Sequence, residues 1–306
     1  MSQETGQYDV VILGCGPAGL QAAIHAARTK ARVALAGRLD KSSLSRAHVE
    51  NYCCMDSVVE GGEMLAMGRA KAEKFGTEVH SEDILELRQD GDVFVAKLES
   101  GASLAGKAIV LAMGISRNRL GVPGEKDFVG KGVSYCVDCD GMFFRNQDVV
   151  VAGNGSAAFS GALTMMMIAN KVHLVYQKPE VSDVLAAHIK DSDIILHEGR
   201  WPAAVKGMNE VEAVVLDNDE TIEVKGLFVE LGAKGAMELA TVLGVMLDAE
   251  NAKYVEVNRK METNVPGIYA AGDITGPPWQ MAKAVGEGCV AGLEAAAFAR
   301  KKATGE

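Results

Sequence analysis

Two glycine loops, each standing where a short apolar run gives way to a helix-forming segment, restrict this chain to a fold with two parallel-sheet units. The first, Gly14-Cys15-Gly16-Pro17-Ala18-Gly19, follows Tyr8-Asp-Val-Val-Ile-Leu13 and leads into Ala18 to Arg28, which has helical composition. Glycines at this spacing let the backbone turn tightly, approach a pyrophosphate closely and pack the helix against the sheet, while the helix N-terminus favours phosphate charge. The second loop, Gly153-Asn154-Gly155-Ser156-Ala157-Ala158, repeats the arrangement after Asp148-Val-Val-Val-Ala152. Its helix is expected from Ala157 to Ala169 and its next strand from Val172 to Tyr176.

The segments between the loops fit the same plan. Arg32 to Ala36 and Ala108 to Ala112 read as further parallel strands, and Gly61 to Phe75 as a helix. Val93 to Leu98 alternates in strand fashion and is expected to add an antiparallel strand. Turn-rich stretches at Gly114 to Gly124 and Gly232 to Gly235 mark two linkers, and Val265 to Asp273 returns as a short apolar strand closed by Gly-Asp. The expected fold class is therefore α/β, with two Rossmann-like, three-layer ββα dinucleotide-binding domains, the second inserted in the first. The discontinuous first domain is expected to comprise residues 1–116 and 245–306, and the inserted one residues 117–244.

Composition excludes several classes of function. With 306 residues, 24% of them charged, the chain has material for two cores, and no apolar stretch reaches the length needed to cross a bilayer. A net charge of −10 argues against a nucleic-acid or anionic-membrane surface. The opening residues lack the basic and apolar regions of a signal peptide, so a cytoplasmic location is expected.

Six cysteines are too few for a disulfide scaffold at this length and suit a reducing compartment. Cys15 and Cys289 read as packing residues, and Cys53-Cys54 as packed or partly exposed. A single Cys-x-x-Cys, Cys136-Val137-Asp138-Cys139, without histidine at ligand spacing, points to redox use rather than a metal. Asp138 and Asp140 interleave and follow the pair, which disfavours a dry core segment. A thiolate attacks only when its acidity is raised or a base is near, and the departing sulfur needs a proton; Asp140 is placed to serve. Two dinucleotide folds flanking one dithiol read as a flavin disulfide reductase, since a dithiol exchanges two electrons and a flavin can take two as hydride and pass them to sulfur. The methionines at 64, 67 and 165–167 read as fillers of core gaps.

The residues resemble one family nearly end to end, the low-molecular-weight thioredoxin reductases. The resemblance rests on Tyr8-Asp-Val-Val-Ile-Leu-Gly-Cys-Gly-Pro-Ala-Gly-Leu20, Val49-Glu50-Asn51, Gly132-Val-Ser-Tyr-Cys-Val-Asp-Cys-Asp-Gly141 and Pro266-Gly-Ile-Tyr-Ala-Ala-Gly-Asp-Ile274. It implies a homodimer in which an FAD domain, built from both ends of the chain, carries an inserted nucleotide domain bearing the cysteine pair. By that likeness Gly14, Gly16, Pro17, Ala18, Ser43, Asn51, Ala112, Gly114, Asp273, Gln280 and Met281 would contact FAD. Cys139 would face the flavin, Cys136 would attack the partner disulfide and Asp140 would be the acid. Phe143 and Lys131 would help dock a thioredoxin-like protein. Gly153, Gly155, Ser156, Ala157 and Lys178 would be the nucleotide contacts of the second loop.

The chain departs from the family where the electron donor binds. The basic signature that clamps the 2′-phosphate of NADPH is here Tyr176-Gln177-Lys178-x-x-x-Ser182, with one charge left. Lys41-Ser42-Ser43-Leu44 replaces the Gly-Gly-Gln-Leu stretch along the flavin, Met113 replaces a threonine, and Trp279-Gln280-Met281 replaces Arg-Gln-Ala. These changes leave the donor open among NADPH, NADH, ferredoxin and a deazaflavin. Two other readings keep the fold: a small-molecule dithiol oxidase that passes electrons to oxygen, and a redox-responsive thioredoxin-binding protein without turnover.

Overall fold

A computed structural model describes residues 5–53, 55–115, 119–231, 236–249 and 253–304. Two compact units result, Met1–Ile115 with Leu239–Glu306, and Ser116–Glu238. The expected linker positions 116–118 and 232–235, and Cys54, lie outside the described residues.

The first unit opens with β1 (Thr5–Leu13), α1 (Pro17–Arg28) and β2 (Val33–Ala36). Val10 to Leu13 and Val33 to Ala36 are buried on both faces, which is why they read as continuous apolar runs rather than alternating ones. A ribbon of β3 (His48–Val49) and β4 (Val59–Glu60) leads to α2 (Gly61–Lys74) and β5 (Glu78–His80). Then β6 (Ile84–Asp90), β7 (Val93–Leu98) and β8 (Ser103–Leu111) form an antiparallel meander. The resulting sheet runs β5-β2-β1-β8-β7-β6, with β1 parallel to both β2 and β8.

The second unit begins with β9 (Val133–Ser134), α3 (Val137–Asp140) and β10 (Asp148–Ala152). It continues through α4 (Ser156–Met166), β11 (Lys171–Tyr176), α5 (Asp183–Lys190) and β12 (Ile195–Glu198). A meander of β13 (Pro202–Lys206), β14 (Ala213–Leu216) and β15 (Thr221–Glu223) precedes β16 (Gly226–Val229). Its sheet is parallel throughout, in the order β12-β11-β10-β16-β9. Val150, Val175 and Leu227 pack against Val205, Val214 and Ile222 of the meander, so the sheet is covered by strands on that face.

The chain then passes through α6 (Ala236–Val242) back to the first sheet, where β17 (Ile268–Ala270) pairs in parallel with the second half of β8. Last comes α7 (Met281–Thr304), which lies along α1. Their contact is made of small residues: a Cβ on Gly288 would overlap the Ala18 carbonyl, and one on Gly292 the Ala22 carbonyl. Close backbone approach of this kind trades side-chain volume for dispersion contacts between the helices themselves. Among the described residues no helix is long and apolar enough to cross a membrane.

Three expectations need correction. The helix after the second loop stops at Met166 rather than Ala169, because Met167 caps it and Asn170 turns to donate to Gln147 O. Met67 and Met167 are 62% and 87% exposed, so neither fills a core gap; Met165 does, being wholly buried. The β13–β15 meander was not anticipated in the sequence at all.

Candidate functional site

The carboxyl ends of β1, β8 and β17 lie side by side, and the residues just past them form one rim of the first unit. Ligands of open parallel sheets bind outside such ends. Gly14, Gly16, Pro17 and Ala18 follow β1; Ala112 and Gly114 follow β8; Asp273 follows β17. The rim is bonded together, with Ala112 N donating to Leu13 O and Ala271 N to Leu111 O. Gly14 has φ of +110°, and a Cβ there would run into the Ala112 carbonyl. Gly19 is equally confined, since its Cβ would meet the Gly14 carbonyl.

Gly16 differs, because a Cβ there would meet only the Ser42 Oγ, at 3.5 Å. It caps α1 without a side-chain bond, and the first turn of α1 holds no acidic residue, which leaves the helix N-terminus suited to an anion. Ser42 in turn accepts from Leu44 N, so the short turn carrying Ser43 adjoins the loop. Asn51 Nδ2 donates to Gln280 Oε1 at 3.3 Å, bringing those two together, and Met281 opens α7 beside them. These features fit the pyrophosphate and ribityl ends of FAD: a bare helix N-terminus, a confined glycine turn and polar side chains on one rim.

The turn that carries Asp273 is held by a network that sequence reasoning missed. Lys283 Nζ donates to Gly272 O, Thr275 Oγ1 and Gly276 O at 2.7–2.8 Å, and Glu287 accepts from Gly272 N and Thr275 Oγ1, both at 2.8 Å. Burial pushes the Asp273 carboxyl above its ordinary range, with Lys283 opposing and Glu287 assisting that shift. Cys15, within the loop itself, is buried, and its thiol is pushed up to about 12 by burial. It is a packing residue. Trp279 is 55% exposed.

In the second unit Cys136 is disulfide-bonded and half-buried at the head of α3. Cys139 lies on the same helix, with its side chain outside the described residues. Ser134 Oγ accepts from Cys136 N at 3.1 Å and donates to Asp140 Oδ2 at 2.7 Å, so one hydroxyl ties the acid to the segment bearing the cysteine. One residue earlier in the segment than Cys136, Tyr135 donates its hydroxyl to Glu125 Oε1 at 3.0 Å. Burial and then that bond raise the Tyr135 phenol. Glu125 also accepts from Leu120 N and Gly121 N, which anchors the start of the unit to the dithiol segment. Phe143, 78% exposed, and Met142 stand beside Asp140, and Lys131 is exposed.

Gly153 and Gly155 form the β10–α4 turn, and Ser156 and Ala157, both buried, open α4 directly after it. Asn154 clasps the stretch after β11, its Oδ1 accepting from Gln177 N at 2.8 Å and its carbonyl from Glu180 N at 2.7 Å. The strand end where a 2′-phosphate would need cations is mixed in charge. Lys178 is exposed there, and Arg200, whose N donates to Tyr176 O, adds a cation that the sequence reading did not find. Against them stand Glu180 on the loop and Glu198, which bonds the Tyr176 hydroxyl; burial and then Glu198 raise that phenol. The turn fits a pyrophosphate, and the strand end does not fit the phosphate that distinguishes NADPH.

A family model described as pyridine nucleotide-disulphide oxidoreductase matches residues 8–288. The thioredoxin reductase of Mycolicibacterium smegmatis is 32% identical over 316 residues, covering 96% of this chain and 97% of that protein. The chain belongs to this family, among its low-molecular-weight thioredoxin reductases. It is also 32% identical to the bifunctional thioredoxin reductase/thioredoxin of Mycobacterium leprae, of whose length it spans 65%. Among solved structures, the atypical thioredoxin reductase TRi from Desulfovibrio vulgaris Hildenborough superposes with a TM-score of 0.83 at 33% identity, covering 96% of this chain and 98% of that one. A ferredoxin-flavin thioredoxin reductase from Clostridium acetobutylicum superposes with a TM-score of 0.70 at 29% identity, covering 99% and 100%.

Proposed function

We propose that this oxidoreductase reduces the disulfide of a thioredoxin-like protein through Cys136 and Cys139, using FAD held by its first unit. The observation that carries the reading is the Cys136 segment itself: a disulfide-bonded cysteine at a helix head, an acid tied to it through Ser134, and an exposed aromatic beside it. FAD, when bound, supplies the two-electron relay between donor and disulfide. In the reduced protein the Cys136 thiolate attacks one sulfur of the partner disulfide; that S–S bond breaks, a mixed disulfide forms, and Asp140 protonates the departing sulfur. Cys139 then attacks Cys136 Sγ, restoring the intrachain disulfide and releasing the partner with two electrons and two protons gained. Phe143 and Lys131 are assigned to the docking face for that partner.

The electron donor is inferred not to be NADPH clamped through its 2′-phosphate, on the strength of the carboxylates at the end of β11. The name of the Clostridium acetobutylicum neighbour supports ferredoxin among the donor classes that remain, beside NADH and a deazaflavin.

Two experiments test these readings. A Cys136→Ser variant should bind FAD and lose partner reduction; undiminished turnover would remove the dithiol mechanism. An anaerobic titration of the flavoprotein with NADPH should leave the oxidised flavin band intact while dithionite bleaches it, and a separate titration with NADH distinguishes that donor, by bleaching, from ferredoxin and a deazaflavin. Rapid bleaching by NADPH would overturn the donor reading and leave the dithiol reading standing.

A further inference from the structure

At the end of β16 an acid follows an apolar run, Gly226-Leu-Phe-Val229, in which every residue is buried, and the acid is buried too: Glu230 is 6% exposed. Its backbone is fixed on both sides. Glu230 N donates to Ala152 O at 2.9 Å, extending the β10–β16 pairing, and its carbonyl lies where a Cβ on Gly153 would be. The side chain reaches to α3, where Oε1 accepts from Val137 N at 2.9 Å. α4 makes room for it with Gly161, whose Cβ would sit 3.1 Å from Val137 Cγ2 and 3.9 Å from Glu230 Cγ. A carboxylate so far from water is retained at a cost and must find partners.

The Val137 N–H belongs to the peptide that joins it to Cys136, so the carboxylate acts one peptide unit from the reactive sulfur. We propose that Glu230 is a positioning residue for the dithiol, fixing the first turn of α3 and restraining ionisation of Cys136. It rests on the reading of Cys136 as the attacking thiol. Two effects have the same sign. The carboxylate takes up an amide hydrogen that would otherwise help stabilise a thiolate, and its negative charge opposes a second one nearby. Neither α4 nor Gly141–Phe144 carries a titratable side chain; the described titratable groups around Cys136 are Asp138, Asp140 and Glu230, with Tyr135 next to it in the chain, Glu125 bonded to Tyr135, and Arg119 acting on that same phenol.

Two variants of the flavin-loaded protein separate the effects. Glu230→Gln keeps an acceptor oxygen for Val137 N and removes the charge; Glu230→Ala removes both. In a Cys139→Ser background, the pH midpoint of Cys136 alkylation by iodoacetamide should fall by about one unit in the Gln variant, which is tenfold more thiolate well below the midpoint. Amide exchange across residues 136–140 should stay slow in Gln and quicken about tenfold in Ala, the protection that a bond to a buried carboxylate confers. A wild-type midpoint in the Gln variant, with a wild-type flavin spectrum showing that it folds, would overturn the assignment even if the Ala variant failed to fold. The underlying reading has its own readout. Anaerobic dithionite titration of the unmutated protein should consume four electrons per chain, two for the flavin and two for the disulfide; consumption of two would mean that the dithiol is not a redox couple at all.

Discussion

Ser134 Oγ donates to Asp140 Oδ2 at 2.7 Å while accepting from Cys136 N, so a single hydroxyl fixes both the acid and the cysteine backbone. A hydrogen bond to a charged group is worth about 1.5–3 kcal/mol, and each 1.36 kcal/mol is roughly tenfold in rate. Ser134→Ala should therefore slow single-turnover reduction of the partner disulfide by about tenfold or more. Flavin content should not change. A rate equal to the parent's would take Ser134 out of the proton path.

Gly288→Ala puts a methyl group into the Ala18 carbonyl across the α1–α7 contact. Overpacking of this kind costs about 1–3 kcal/mol, and here it pushes on the helix whose N-terminus faces the expected pyrophosphate. The variant should melt at a lower temperature and release FAD more readily on dilution. Gly286→Ala, two residues away and with open space around its Cβ, is the control and should do neither.

Asp273 has its carboxyl raised, chiefly by burial. Folding disfavours its charged form, so ionisation costs stability above the raised value; the cost shrinks as pH falls below that value and is gone below the ordinary carboxylate range. Asp273→Asn should thus stabilise the flavin-stripped protein at pH 7, with the gain shrinking as pH is lowered through that range. In the same variant FAD should bind less tightly. Thermal melts across pH would show no such convergence if the shift were absent.

Cys15 sits between the glycines of the first loop, buried, with its thiol raised to about 12. In the native protein at pH 8 iodoacetamide should leave it unmodified while exposed Cys53 reacts, and both should react in urea. Peptide mapping by mass spectrometry reads this directly. Modification of native Cys15 at the rate of Cys53 would contradict its placement.

What could be read from the sequence was whatever depends on local pattern. Tyr8 to Leu13 and Asp148 to Ala152 are strands because β-branched runs ending in glycine have few other ways to bury themselves, and both loops stand where those runs end. Val93 to Leu98 is the expected strand and pairs antiparallel on both sides, with Phe94, Val95 and Ala96 buried in a row. Illegible were features set by tertiary contact. Met67 and Met167 sit at helical spacing and yet face outward, since the burial of a methionine depends on which neighbours arrive. Glu125 and Glu230 look like surface acids in sequence and are buried, Glu125 taking the amides of the turn just before it and the Tyr135 hydroxyl, Glu230 the amide of distant Val137. One signal for Glu230 was available: an acid directly after four apolar strand residues stands where the next buried position falls. The β13–β15 meander went unread because its strands are short and interrupted by Pro202 and polar turns.

The return of β17 and α7 to the first sheet has a consequence for biosynthesis. A ribosome delivers Met1–Ile115 with one edge of the second half of β8 unpaired and the small-residue groove of α1 uncovered, and both wait for residues beyond 267. Ser116–Glu238, being contiguous, has its own sheet and meander complete before those residues emerge. The portion made second can thus close first, and the nascent first unit is kept open by its own missing helix until β17 and α7 have emerged.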